Sequence, residues 1–130
     1  MNPPRILVVD DEQHIVQVLS LTLRRAGYSV ETATDGDAAW RAIQTDRPDL
    51  VITDQSMPGI TGTQLVERLQ HATDGASLPV LIITAKRMAI EPNENHAVTA
   101  ILPKPFSPRE VLSKVYDLVG PGVAPQEIEL

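Results

Sequence analysis

The chain has 130 residues, 42% apolar and 22% charged, a balance that fits one globular domain with a single substantial core and excludes a disordered protein. Its net charge of −6, from 17 acidic and 11 basic residues, opposes direct binding to nucleic acid or to anionic membranes. Cysteine is absent, which removes disulfides and thiolate chemistry, and no apolar run approaches the roughly 20 residues of a bilayer span, so a soluble cytoplasmic protein is expected.

Arg5 to Val9 is an apolar run without the polar alternation of a half-exposed strand, and it reads as a buried parallel strand. In Gln13 to Ala26, residues Ile15, Val18, Leu19, Thr22, Leu23 and Ala26 recur at helical spacing, and Gly27 supplies a stop. Tyr28 to Ala33 alternates more and reads as a weaker strand. Asp37 to Gln44, with Ala38, Trp40, Ala42 and Ile43, is a shorter helix that ends before Arg47-Pro48. Asp49 to Thr53 is another buried-type strand. Thr61-Gly62-Thr63-Gln64 then opens a helix as a capping box, the Thr hydroxyl accepting from a first-turn amide while Gln64 reaches back. Pro79 to Thr84 is a further apolar strand.

Met88 to Val98 should supply the next helix, but Glu91-Pro92-Asn93-Glu94-Asn95 is poor in apolar residues and broken by proline, so a short or mobile segment is expected. Thr99 to Leu102 is a short strand. Ser107-Pro108-Arg109-Glu110 repeats the capping box, with proline at the first helical position, ahead of Val111, Leu112, Val115, Tyr116 and Val119. Gly120-Pro121-Gly122 is expected to end the fold, leaving residues 1–120 as one domain and 121–130 as a tail or the start of a linker, with no second domain.

Five alternations of strand and helix imply right-handed crossovers and a doubly wound, five-stranded parallel sheet with helices on both faces. In the flavodoxin-like order 2-1-3-4-5, ligands bind beyond the carboxyl ends of the first and third strands. Asp10, Asp11 and Asp54 fall just after those strands. Taken singly, an aspartate after a strand is more often a turn residue or a helix cap. Three at one crevice repel one another and call for a hard divalent cation, Mg2+ or Mn2+, which suits oxygen ligands and bridges to phosphoryl groups. Thr84 closes the fourth strand and Lys104 follows the fifth. Alone they read as a strand end and a solvated loop charge; beside the acidic cluster they offer a hydroxyl and an ammonium to phosphoryl oxygens.

Four motifs, Val8-Val9-Asp10-Asp11-Glu12, Asp54-Gln55-Ser56-Met57-Pro58-Gly59, Thr84-Ala85 and Lys104-Pro105-Phe106, occur in the order and near the spacing of a known family. Over about the first 120 residues the sequence resembles the receiver domain of two-component response regulators. The resemblance implies that Asp54 accepts a phosphoryl group from a histidine kinase or a histidine phosphotransfer protein. It implies that Asp11, Asp54 and the backbone carbonyl of Ser56 ligate Mg2+ directly, with Asp10 acting largely through water. It further implies that Lys104 pairs with the phosphoryl group, that the Lys104-Pro105 bond is cis, and that Thr84 moves to the phosphate. The chemistry is consistent with this, because phosphoryl transfer rests on in-line positioning and charge neutralisation more than on a strong nucleophile, and the small Ala85 leaves the approach open. Such a domain is no enzyme toward other substrates; it catalyses only its own modification.

The family commonly places Tyr or Phe three residues before the lysine, where this chain has Ile101. Either Ile101 makes a smaller packing change, or the signal leaves by another surface such as the segment after Thr84. That departure and the proline-broken segment 88–98 leave open a monomer or a phosphorylation-dependent dimer, and the downstream protein target is unknown. Lys86 and Ser56 lie where the family tunes dephosphorylation. His14, in the first turn of the first helix on the donor-docking side, reads as a solvated surface histidine, as do His71 and His96, which have no neighbouring ligand at metal spacing, while Trp40 and Tyr28 read as partial core. Two other readings compete. One is a degenerate receiver that binds partners without phosphorylation. The other is an aspartate-nucleophile phosphohydrolase, for which Asp10-Asp11-Glu12-Gln13 lacks the Asp-x-Asp spacing. No nucleotide-binding Gly-rich motif occurs.

Overall fold

The structure, a computed structural model, describes residues 3–71, 78–85 and 98–122, with the backbone only at Gln70, His71, Val98 and Thr99. Among these residues the elements run β1 (Arg5–Val9), α1 (Gln13–Arg25), β2 (Ser29–Ala33), α2 (Gly36–Thr45), β3 (Leu50–Asp54), α3 (Gly62–His71), β4 (Val80–Thr84), β5 (Val98–Pro103) and α4 (Pro108–Val119). All strand pairs are parallel, as the alternation predicts, and the sheet order is β2-β1-β3-β4-β5, that of the flavodoxin-like arrangement. Residues 88–97 of the segment expected to be short or mobile, with Lys86, His96 and the tail from residue 123, lie outside the described residues.

The unbroken apolar runs become the central strands because both of their faces are covered. On one face Leu7, Val9, Val51, Val80 and Ile82 pack against Ala39 and Ile43 of α2 and Leu65, Val66 and Leu69 of α3. On the other, Ile6, Val8, Leu50, Ile52, Leu81 and Ile83 pack against Leu19 and Leu23 of α1 and Val111 and Val115 of α4. Each such side chain contributes roughly 1.5–3 kcal/mol relative to exposure, so this double row dominates the stability. The edge strand β2 keeps only Ala33 fully inside, which is why its sequence alternates.

Both capping boxes form. Thr61 Oγ1 accepts from Gln64 N at 3.1 Å and Gln64 Oε1 from Thr61 N at 2.8 Å. Ser107 and Glu110 do the same at 3.2 and 2.8 Å. One boundary moved because of a missed cap: α2 begins at Gly36, ahead of Asp37, since Asp35 Oδ1 accepts from Ala38 N at 2.7 Å. Tyr28 is buried, and its hydroxyl donates to the Gly120 carbonyl at 2.6 Å, joining the end of α4 to the turn after α1. Gly122 lies against the same turn, where a Cβ would come within 2.4 Å of the Ala26 carbonyl oxygen.

Candidate functional site

Strand register assembles the site. Val9 pairs with Thr53, so the next residues, Asp10 and Asp54, emerge side by side on adjacent strands, about 4.8 Å apart by ordinary sheet spacing. With a side-chain period of two, they extend the rows Ile6–Val8 and Leu50–Ile52, on the face covered by α1 and α4. Asp54 is the last residue of β3, one place earlier than the sequence reading set it, because the ladder continues: Asp54 pairs with Ile83, and Gln55 N donates to the Ile83 carbonyl at 3.2 Å. Thr84 pairs with Pro103, and Lys104 N donates to the Thr84 carbonyl at 2.8 Å, bringing Lys104 to the same edge.

Carboxylate oxygens of Asp10, Asp11 and Asp54 lie within 4.8 Å of one another. Asp10 is 2% and Asp54 8% exposed, while Asp11 faces solvent. The Lys104 ammonium stands 3.5 Å from Asp54 Oδ2 and 3.8 Å from Asp10 Oδ2. Burial pushes the Asp10 carboxyl up from 3.8 to about 6, and the charges of Asp54 and Asp11 push the same way; the hydrogen bond from Glu12 N, at 2.9 Å, and the Lys104 ammonium pull it down. One ammonium thus stands among three carboxylates, and the shift on Asp10 comes first from burial and then from that imbalance. An all-oxygen donor set, two groups sheltered and one open to water, fits Mg2+, which takes carboxylates while keeping several of its waters.

Thr84 is buried, Ser56 and Ala85 are exposed, and the Lys104-Pro105 peptide bond is cis. Ile101 is half-buried against the core on the α2 and α3 side. His14 is exposed in the first turn of α1 and stands outside the acidic group. The segment after Asp54 is held from two directions. Gly36 opens α2 at a point where a Cβ would lie 2.1 Å from Ile60 Cγ1, so only glycine lets that loop seat on the helix start. On the other side, Gln55 binds α3: its Oε1 accepts from Thr63 N at 2.9 Å and its Nε2 donates to Thr63 Oγ1 at 3.1 Å. Nothing in the sequence pattern marks Gln55 and Thr63 as a pair. The one local signal near them is Gly62, a poor helix former at the first position of α3.

The family model for the response regulator receiver domain matches residues 6–116. The chain is 38% identical over 117 residues to the alkaline phosphatase synthesis transcriptional regulatory protein PhoP of Bacillus subtilis, covering 85% of this chain and 46% of that protein. It is 38% identical over 119 residues to the response regulator MprA of Mycolicibacterium vanbaalenii, covering 90% and 51%. The chain thus spans about half the length of these curated relatives. Among solved structures, the chemotaxis response regulator CheY4 of Vibrio cholerae superposes with a TM-score of 0.80 at 34% identity, covering 89% of this chain and 98% of that one. The response regulator TrrA of Thermotoga maritima, solved in complex with Mg2+-BeF, gives 0.79 at 31% identity, covering 92% and 100%.

Proposed function

This chain belongs to the receiver domain family of response regulators, with the signalling role that membership carries, and on that premise we propose that it is a switch operated by phosphorylation of Asp54. The observation that carries the proposal is the meeting of Asp54 with Asp10, Asp11 and Lys104 at the carboxyl edge of the sheet. The donor is a phosphohistidine on a histidine kinase or a histidine phosphotransfer protein. An Asp54 carboxylate oxygen forms the new O–P bond as the N–P bond breaks, and the donor imidazole leaves with the electron pair. Hydrolysis of the resulting acyl phosphate returns the carboxylate and inorganic phosphate.

Bound Mg2+ would draw charge from the phosphoryl oxygens during transfer. Asp10, Asp11, Asp54 and the Ser56 carbonyl are the groups proposed to hold it. Lys104, already beside Asp54, exchanges a carboxylate partner for a phosphoryl oxygen. Thr84, at the end of the neighbouring strand, supplies a hydroxyl to the same group, and Ala85 leaves the approach clear. Ile101, in the place of the family's aromatic, transmits a packing change into the core it already touches. The activated chain then alters its affinity for a downstream protein or for a second copy of itself.

Beryllofluoride with Mg2+ mimics an acyl phosphate and tests this reading directly. Amide resonances of Thr84, Ile101, Gln55, Ser56, Met57 and Gly59 are expected to shift on its addition. A spectrum that stays unchanged would count against a phosphoacceptor site.

A further inference from the structure

Gln55 follows the proposed phosphoacceptor and is tied down on every polar group it has. Its backbone N–H donates to Ile83 of β4, and its carbonyl accepts from Gly62 N at 3.1 Å. Its side-chain amide takes both the N–H and the hydroxyl of Thr63. The hydroxyl of Thr63 also lies 3.2 Å from that of Thr61, which caps α3. Gly62 permits the approach, since a Cβ there would stand 2.8 Å from the Asp54 carbonyl oxygen and 2.9 Å from Gln55 Oε1. The first turn of α3 therefore rests directly on the backbone of Asp54 and Gln55.

We propose that Gln55 is a positioning residue for the cation and phosphoryl site, acting through its clasp on Thr63. The inference rests on the reading of Asp54 as an Mg2+-dependent phosphoacceptor. Ser56, whose carbonyl is the proposed backbone ligand, is the next residue along the chain. With the N–H and the carbonyl of Gln55 both bonded, the peptide leading to Ser56 cannot turn without breaking a hydrogen bond. The clasp also closes the loop from Ser56 to Thr61 at its two ends, which removes conformers that would carry the ligand away. An apolar residue in the place of Gln55 would keep the backbone contacts and lose the fork that matches an N–H and a hydroxyl together. The Thr63 N–H would then be a half-buried donor without its partner.

Calorimetric titration of the full chain with Mg2+ alone, without a phosphodonor, separates this role from a merely structural one. Gln55→Leu is expected to weaken Mg2+ binding by about tenfold to a hundredfold, the range for groups that orient a ligand without touching the metal. Thr63→Val, which loses the hydroxyl but keeps the N–H, should weaken it less, and Thr63→Ser, which keeps both, should restore the affinity of the unaltered chain. Circular dichroism at the assay temperature identifies the variants that are folded; should Gln55→Leu fail to fold, the Thr63 pair decides the matter. Folded variants that melt earlier but bind Mg2+ as tightly as the unaltered chain would overturn the positioning role and leave the phosphoacceptor reading intact. An unaltered chain that binds no Mg2+ would sink both.

Discussion

At the amino-terminal edge of the sheet the Arg5 guanidinium pairs with two exposed carboxylates; at the carboxyl-terminal edge the Lys104 ammonium pairs with two buried ones, with a third, exposed, beside them. At the first edge Arg5 reaches Glu31 at 3.0 Å and Asp46 at 3.2 Å, and its backbone N–H donates to Asp49 at 2.7 Å. Glu31 and Asp46 there are half or more exposed, so water shares the work of solvating them. At the second edge the side chains of Asp10 and Asp54 are 3% and 10% exposed, and Lys104 is their shared partner. Both edges set acids beside a basic side chain, and burial separates their consequences. The base is a satisfied surface network worth little, and the top is a sheltered excess of negative charge that favours a cation.

Removing one buried acid should expose that difference most strongly. Asp10→Asn keeps an acceptor for Glu12 N but deletes the charge, so the metal-free protein is expected to gain on the order of 2 kcal/mol near neutral pH in denaturant unfolding. Mg2+ affinity should fall by at least about tenfold in the same variant. A destabilised metal-free Asp10→Asn would break the comparison.

The pH dependence should show the same imbalance in the unaltered chain. Asp10 has a folded value raised to about 6 from 3.8, so the folded state binds more protons than the unfolded state between those values. Stability of the metal-free protein is therefore expected to fall as pH rises from about 4 to about 6, and then to level. The stabilisation gained on adding Mg2+ should grow across the same window as the proton leaves. Melting temperatures measured with EDTA and with saturating Mg2+ would show whether the two curves diverge in that direction.

At the other edge the effect should be smallest. Arg5→Ala is expected to cost at most about 1 kcal/mol and to leave Mg2+ binding unchanged, because exposed pairs contribute little and the backbone exchange between Arg5 and Asp49 survives. A loss of Mg2+ affinity in that variant would mean that the two edges are coupled through β1.

Much of this was legible in the sequence because it depends on local pattern. Apolar runs without alternation gave the three central strands, and the two capping boxes gave the starts of α3 and α4. Alternation of elements pointed to a parallel sheet, and the flavodoxin-like order assigned to it brought Asp10, Asp11 and Asp54 together. The features that escaped are those set by distant register. Tyr28 was read as partial core, but its bond to Gly120 joins residues 92 apart. Asp54 was placed after its strand, and only pairing with Ile83 carries the ladder through it. Gln55 and Thr63 are eight residues apart across a loop, with no periodic signal to link them.

The central claim is that Asp54 takes the phosphoryl group because its crevice gathers the acids and the lysine. Intact-protein mass spectrometry after incubation with acetyl phosphate and Mg2+ tests it most directly. The unaltered chain should gain the mass of one phosphoryl group, with none gained by Asp54→Asn or when EDTA replaces Mg2+. An adduct that persists in Asp54→Asn, or no adduct on the unaltered chain, would contradict the account.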